Sequence, residues 1–118
     1  GIITYHSTVN ATPNAEGIDF EQTGITIENY ALHSNYPNPF NPETTIRFDI
    51  PTNSEDLKHI RLSVFNSLGQ MVTTIYDGEL SGGQYEMKWN GENQPSGVYF
   101  ILFKSEQFVQ TQKMVLLR

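Results

Sequence analysis

The sequence predicts an all-β domain, a small sandwich or barrel. Apolar and polar residues alternate with a period of two in several segments, as in strands that bury one face. Turn-forming residues separate these segments about every 10–15 residues, close to the spacing of all-β sandwiches and barrels. No segment carries a helical apolar stripe over three turns. A length of 118 residues suits one domain and is too short for two well-filled cores.

The strand candidates follow one another from residue 25 onward. The first, residues 25–33, places Ile25 and Ile27, and also Tyr30 and Leu32, on apolar faces. Three later segments alternate more regularly. The apolar side chains that share a face in each are Ile46, Phe48 and Ile50, then Ile60, Leu62 and Val64, then Tyr85, Met87 and Trp89.

Short runs of Gly, Pro, Asn, Asp and Ser separate the strand candidates and predict turns. Asp77-Gly78 is predicted to form a β-hairpin turn, and Asn90-Gly91 a second turn after Trp89. The other predicted turns lie at residues 51–54, 67–69, 81–83 and 95–97.

Residues 97–104 depart from this alternation because both faces of the segment are apolar. One face carries Val98, Phe100 and Leu102, and the other carries Tyr99, Ile101 and Phe103. Strands of this kind are usually covered on both sides. We expect residues 1–30 to cover the second face. The alternative is an interface with an upstream domain or a partner chain.

Composition and charge exclude several classes of function. Charged residues make up 17% of the chain, and its uncharged polar residues include 10 Asn, 11 Thr, 8 Ser and 7 Gln. Aromatic residues, at 12%, are sufficient for a compact core. A net charge of −6 would repel a phosphate backbone, so we expect no nucleic-acid partner.

The apolar runs at residues 98–103 and 114–117 are far shorter than the ~20 residues of a membrane-spanning helix, so no transmembrane segment is predicted. The absence of cysteine excludes disulfides and thiolate metal sites. The chain starts at Gly1 without a Met or a signal peptide. We therefore expect a processed product or the tail of a longer protein.

Residues 1–24 carry only scattered apolar positions, and we interpret them as a linker that precedes a domain of residues 25–118. The alternative is an extra N-terminal strand containing Ile3, Tyr5 and Val9, which would dock on this domain or on a neighbour.

The most unusual run is NYPNPFNP, residues 35–42. Each proline fixes its own φ and favours an extended conformation in the residue before it. The run is therefore expected to form a stiff, polyproline-like arm, with Phe40 closing one end of the core. A PxxP ligand between Pro39 and Pro42 is the alternative, but a rigid entry into the next strand explains more of the residues.

No arrangement of residues predicts catalysis, a cofactor or a metal site. His6, His33 and His59 are widely separated and share no metal-ligand spacing. There is no GxSxG nucleophile motif and no Asp-x-Asn-x-Asp-Gly calcium loop. A weak calcium site at Asp77 is the one alternative considered, and we expect a protein without cofactor or enzymatic activity.

Four blocks carry a family resemblance. In order they are YPNPFNPETTIRFDIP, IRLSVFNSLGQMV, SGGQYEMKWNGENQPSGVYFILF and TQKMVLLR. They begin at Tyr36 and end at Arg118. On these blocks, residues 30–118 resemble the C-terminal sorting domain of type IX secretion cargo, which is related to the immunoglobulin-like domain of the flagellar hook-capping protein. The resemblance implies an immunoglobulin-like sandwich of about seven antiparallel strands in an extracellular bacterial protein. It also implies a module that directs a passenger across the outer membrane and is recognised at the cell surface.

The resemblance also implies which residues a protein partner recognises. Gly69 matches the turn glycine of the middle block, and Phe100 lies in the matching SGVYF block. The predicted recognition residues are Pro37, Asn38, Pro39, Phe40, Gly97, Tyr99, Lys113, Met114, Val115 and Arg118. Their partner would be the secretion machinery or an upstream passenger domain. Residues 1–24 match no part of the family pattern.

Two other functions stay open at this point. A structural or adhesive subunit could assemble by strand exchange, with self-association through residues 1–24 and the doubly apolar segment as acceptor. A carbohydrate-binding module could use exposed tyrosines, for which the candidates are Tyr5, Tyr30, Tyr36 and Tyr76.

Overall fold

The computed structural model describes residues 26–118 and the backbone of residues 3–5. These described residues form eight strands: β1 (Ile3–Tyr5), β2 (Ala31–Leu32), β3 (Glu43–Ile50), β4 (Lys58–Asn66), β5 (Met71–Leu80), β6 (Gly83–Asn90), β7 (Gly97–Lys104) and β8 (Val109–Leu116). All strand pairs are antiparallel, and the described residues contain no helix. The predicted all-β, immunoglobulin-like sandwich is confirmed.

Sheet A has the strand order β1-β6-β3-β2. Its centre is the β3–β6 pair, in which Ile46 lies opposite Met87 and Phe48 lies opposite Tyr85. These inward positions are apolar and buried. The outward positions are polar, and they are Thr45, Arg47 and Asp49 on β3 and Gln84, Glu86 and Lys88 on β6.

Sheet B has the strand order β5-β4-β7-β8. In β4 and β7, Leu62 lies opposite Phe103 and Val64 opposite Ile101, and all four side chains are fully buried. Strand β5 forms one edge, and its register shifts twice along β4. Strand β8 forms the other edge.

The core lies between the two sheets. The buried apolar side chains come from both inner faces and from the loops that close the ends: Ile27, Leu32, Phe40, Ile46, Phe48, Ile50, Ile60, Leu62, Val64, Leu80, Tyr85, Met87, Trp89, Tyr99, Ile101, Phe103, Met114 and Leu116. Aromatic rings run through it, with Phe48 tilted against Phe103 at a centroid distance of 4.9 Å. Burying a large apolar side chain contributes about 1.5–3 kcal/mol. The period-two pattern therefore decides which face of each strand turns inward.

Two glycines are required by the backbone around them. Gly69 has a φ of 80° in the turn between β4 and β5, where its N–H donates to the Asn66 carbonyl at 3.0 Å. At Gly82 a Cβ atom would lie 2.2 Å from the carbonyl oxygen of Pro51. The chain reversal before β6 thus packs directly against the loop that follows β3.

The predicted hairpin turn at Asp77-Gly78 is wrong. Both residues lie inside β5, where Asp77 pairs with Arg61 and Gly78 pairs with Ile60. Gly78 leaves room for the Tyr76 hydroxyl, which would be 2.9 Å from a Cβ atom and which donates to the Glu79 carbonyl at 3.3 Å. The ladder to β4 therefore continues to Leu80, and the chain reverses between Leu80 and Gly83.

One other expectation requires correction. Of the predicted strand at residues 25–33, only Ala31–Leu32 is a strand among the described residues, and Ile25 lies outside them. Ile27 instead bonds to Thr52: its carbonyl accepts from the Thr52 N–H at 2.9 Å, and its N–H donates to the Thr52 hydroxyl at 2.9 Å. In segment 97–104, Val98, Phe100 and Leu102 are half-buried. The residues expected to cover them, 1–30, lie mostly outside the described part of the chain, so that expectation stays a prediction.

Strand β1 pairs with β6, with Thr4 opposite Glu86. The intervening residues 6–25, including Val9 of the proposed N-terminal strand, lie outside the described part of the chain, so the predicted boundary at residue 25 stays a prediction. Across the described ranges, no helix is long and apolar enough to cross a membrane.

Candidate recognition site

The proline-containing run crosses from sheet A to sheet B. At its start, Tyr36 and Thr45 of β3 exchange two main-chain hydrogen bonds of 3.0 and 2.8 Å. At its end, the Phe40 N–H donates to the Val115 carbonyl at 2.9 Å, and the Phe40 carbonyl accepts from the Leu117 N–H at 3.0 Å. The run therefore connects the edge region of one sheet to the outer edge of β8 in the other.

The run does not form the straight, polyproline-like arm that its prolines predict. The chain bends at residues 37–39 and again at 41–42, and the peptide bonds before Pro37, Pro39 and Pro42 are cis. The physical reason for the bends is the anchoring of Tyr36 on β3 and of Phe40 on β8, which a straight arm could not satisfy together.

Asn38 joins the run to β8 through its side chain. Its Nδ2 donates to the Lys113 carbonyl at 3.3 Å, and its Oδ1 accepts from the Val115 N–H at 2.9 Å. The carboxamide thus occupies the place of a peptide group in a neighbouring strand. Because β8 is an edge strand, these outward main-chain groups would otherwise be unpaired within the sheet. We call this pair of bonds the Asn38 clasp.

The base of the run is held by a small buried network. Asn35 Nδ2 donates to the Thr44 hydroxyl at 3.0 Å, and that hydroxyl donates to the Pro37 carbonyl at 2.9 Å. Both Asn35 and Thr44 are buried. Asn35 Oδ1 has no hydrogen-bond partner among the described residues.

Phe40 closes one end of the core, as predicted. Its side chain is 2% exposed, and its ring lies 5.7 Å from the Trp89 ring, centroid to centroid. Trp89 in turn packs edge-on against Tyr99 at 5.5 Å. The crossing run is therefore fixed both by hydrogen bonds at the β8 edge and by an aromatic contact in the core.

The segment after β8 is also tied to the body of the domain. The Arg118 N–H donates to the Ser96 hydroxyl at 2.9 Å, and the Arg118 guanidinium lies 3.5 Å from the Gly91 carbonyl. Nearby, the Tyr99 hydroxyl donates to the Pro95 carbonyl at 2.6 Å, four residues upstream. This bond resembles the tyrosine corner of immunoglobulin-like domains. Tyr85 makes the same contact with the Ser81 carbonyl at 2.7 Å.

The predicted recognition residues divide by exposure. Those on the surface are Pro37, Asn38, Pro39, Lys113 and Arg118, with Gly97 and Val115 half-buried. Phe40, Tyr99 and Met114 are buried. Their side chains pack in the core beneath the exposed residues and are not accessible to a protein partner. The first and last sequence blocks meet at the Asn38 clasp, and Gly97 pairs with Leu116, the residue next to the clasp on β8.

A second amide contact, which no sequence pattern predicts, joins β8 to β2. Gln110 of β8 reaches to β2, where its Oε1 accepts from the Leu32 N–H and its Nε2 donates to the Leu32 carbonyl, both at 3.1 Å. This Gln110 clasp and the Asn38 clasp seal the same side of the sandwich. The only signal in the sequence is the abundance of Asn and Gln, which does not indicate a position.

The other candidate residues do not assemble into a chemical site. His33 pairs with Asp49 at 2.9 Å and His59 with Asp77 at 2.7 Å, while His6 lies outside the described residues. No group of three or more potential metal-binding side chains was found in the described ranges. Burial raises the pKa of Tyr76 above its usual value, and the carboxylates of Asp77 and Glu79 raise it further.

The tyrosines considered for carbohydrate binding have separate structural surroundings. Tyr30 stacks on Phe108 at 5.3 Å, and Tyr76 packs against the core. Tyr36 is 75% exposed. The side chain of Tyr5 is outside the described atoms.

Comparison with protein families shows to which family the chain belongs. Residues 34–117 match the secretion system C-terminal sorting domain. The chain belongs to this family. The match starts just before the crossing run and ends just after β8, so it contains both halves of the Asn38 clasp. Comparison with curated proteins and with solved structures gave no match.

Membership confirms the resemblance found in the sequence. The sorting domain is a C-terminal sorting signal for type IX secretion, and it marks a secreted or cell-surface bacterial protein. Sorting domains of this family are non-catalytic and interact with the secretion machinery.

Proposed function

We propose that this sorting domain directs a passenger joined to its N-terminal side through the type IX system and attaches it at the cell surface. The observation that supports the proposal is the Asn38 clasp. It brings the first and last family blocks, which are far apart in the sequence, onto one edge of the sandwich.

The proposed recognition surface consists of the exposed part of these blocks. Pro37, Asn38 and Pro39 lie beside the β8 edge, and Lys113 and Arg118 are exposed along it. Because the surface combines two distant segments, it exists only in the folded domain. Recognition of a folded surface fits a domain whose core is already closed by Phe40.

The proposal is tested by joining the full 118-residue chain to the C-terminus of a periplasmic reporter in a bacterium that has the type IX system. We expect the reporter outside the cell, and we expect it to remain periplasmic in a strain lacking that system. A folded fusion that stays periplasmic in the intact strain would refute the proposal. Asn38→Ala, with Gln110→Ala as the matched control, then asks whether the clasp is part of the recognised surface.

A second candidate function is supported by the pairing of β1 with β6. A short N-terminal strand on an open sheet edge is the arrangement that strand exchange between copies requires. In this case residues 1–24 form a separable arm, and the chain self-associates through it. Light scattering of the full chain and of a chain lacking residues 1–24 tests this function. Equal masses for the two would exclude it.

A further inference from the structure

The two outer faces of the sandwich differ in character. On sheet A the outward positions of β3 and β6 are polar, as described above. On sheet B the outward side chains of β7 form an apolar stripe of Val98, Phe100 and Leu102. Neighbouring strands widen this stripe, because Phe65 lies opposite Phe100 and Val115 lies opposite Val98. All five side chains are half-buried.

Basic residues surround this stripe. Arg61 and Lys104 lie directly opposite each other at one end, and Lys113 lies opposite Phe100 on the β8 side. All three are exposed. The chain has a net charge of −6 and only seven Lys and Arg residues, so three basic residues on one face are a marked concentration. We call the stripe and these three residues the basic-rimmed face.

The basic residues of this face are only partly balanced by acidic neighbours within the described strands. Among the described residues, none of the three forms a salt bridge. The outward positions of β4, β7 and β8 carry no carboxylate. Asp77 lies opposite Arg61 on β5, but its carboxylate is bonded to His59 at 2.7 Å. Like charges opposite each other destabilise a sheet. Asp77 offsets this on the Arg61 side, whereas Lys104 lies opposite Arg61 and Val109 and has no carboxylate directly opposite it in the described strands.

We propose that the basic-rimmed face docks a protein of the secretion machinery whose surface presents carboxylates around an apolar centre. The stripe supplies apolar contact area, and the rim supplies charge complementarity, which steers association and excludes wrong partners. A second copy offering the same face would bring cations against cations. The inference deepens the proposed function and rests on it for the class of partner.

The face adjoins the candidate recognition site along β8, because Lys113 and Val115 belong to both. A partner that binds the β8 edge can therefore extend over the stripe without a gap.

The test compares matched variants of the full chain fused to the reporter. Lys104→Glu reverses a charge on the basic-rimmed face, and Lys88→Glu makes the same change on the exposed outer face of sheet A. Leu102→Thr removes apolar surface from the stripe, and Leu68→Thr removes an apolar side chain that is 81% exposed in a turn. We expect Lys104→Glu and Leu102→Thr to reduce export about tenfold, as for a loss of about 1.4 kcal/mol in binding. The two controls should be exported like the wild type.

A second measurement identifies the partner. A photo-crosslinking residue is placed at Thr111, exposed on β8 on the same side as Lys113, and at Thr45 on the outer face of sheet A as a control. We expect an adduct with a protein of the secretion machinery at position 111 only, and we expect Lys104→Glu to abolish it. Thermal unfolding of each variant verifies that it is folded.

Three other outcomes decide against the inference, and a fourth decides against the proposed function alone. Export and crosslinking of a folded Lys104→Glu variant at wild-type levels would overturn it. An adduct between two copies would assign the face to self-association. Lys104-dependent binding to vesicles of anionic phospholipid, without a protein adduct, would assign it to a membrane. Failure of the wild-type fusion to be exported refutes the proposed function instead, and the position-111 adduct still decides the role of the face.

Discussion

Asn38 and Val115 lie 77 residues apart in the sequence, and a hydrogen bond of 2.9 Å joins them in the fold. The Val115 N–H donates this bond to Asn38 Oδ1. It points away from β7, toward the open edge of the sheet. This bond and the bond from Asn38 to the Lys113 carbonyl hold the Asn38 side chain beside β8. The side chain of a loop residue thus lies where another strand could otherwise pair with β8. The outer edge of β8 is thus paired by side-chain and main-chain groups of a loop and not by a further strand.

We expect Asn38→Ala to lower the free energy of unfolding by about 1–2 kcal/mol, because two main-chain groups of β8 lose their partner. Amide hydrogen exchange should become faster at Val115 and stay unchanged at Leu32. Gln110→Ala is the control, and it should show the reverse pattern, since its bonds go to Leu32. If both variants accelerate the same amides, the two clasps do not act independently.

Phe40→Ala should lower the free energy of unfolding far more than Tyr36→Ala, a substitution at an exposed residue of the same run. Removing the buried ring leaves a cavity beside Trp89, with an expected loss of about 3–5 kcal/mol. Tyr36→Ala, at a side chain 75% exposed, should change stability by less than about 0.5 kcal/mol. Denaturant unfolding measures both. Trp89 is the single tryptophan, so its emission should shift to the red in Phe40→Ala alone.

The two constrained glycines predict different penalties. At Gly82 an added methyl group would lie 2.2 Å from a main-chain oxygen, so Gly82→Ala should cost more than about 3 kcal/mol or prevent folding. At Gly69 there is open space around a φ of 80°, so Gly69→Ala should cost about 1–2 kcal/mol from backbone conformation alone. Thermal unfolding of both variants gives the order, and an equal loss would contradict it.

Alkaline pH should reduce stability through Tyr76. Its pKa is raised in the folded domain, so in the unfolded chain the phenol loses its proton first, from about pH 10 upward. Above that pH the unfolded state binds fewer protons than the folded state, and the free energy of unfolding falls as pH rises. Below it the group contributes no pH dependence.

Tyr76→Phe isolates this effect. The stability advantage of the wild type over Tyr76→Phe should be constant between pH 6 and pH 8 and should shrink as the pH rises through about 10. Urea unfolding at each pH measures the difference. A constant difference across the whole range would show that the shift has no effect on folding.

Most of the strand pattern could be predicted from the sequence, because burial of one face forces a period of two. Ile46, Phe48 and Ile50 are fully buried, as are Ile60, Leu62 and Val64. The error at Asp77-Gly78 arose because the same two residues suit a hairpin turn and a strand. The ladder to Arg61 and Ile60 decided between them, and that ladder is a tertiary feature.

Less of the candidate site than of the strand pattern could be predicted from the sequence. The proline run indicates a constrained segment, and Phe40 indicates a core plug, but neither indicates that the run ends on β8. The Asn38 and Gln110 clasps join residues more than 70 positions apart. No local pattern distinguishes these two amides from the other Asn and Gln residues of the surface. The basic-rimmed face likewise depends on the register that sets Arg61 opposite Lys104.

The pairing of Phe40 with Leu117 has a consequence for synthesis of the chain. Translation proceeds from the N-terminus at about 5–20 residues per second, so Phe40 emerges several seconds before the strand that it pairs with. Until residue 117 leaves the ribosome, the Phe40 ring has no closed core to enter, and a chain interrupted earlier leaves this end of the core open. The domain can therefore complete its fold only after translation has passed residue 117. A receptor that reads the β8 edge would export only those passengers whose synthesis has reached that point.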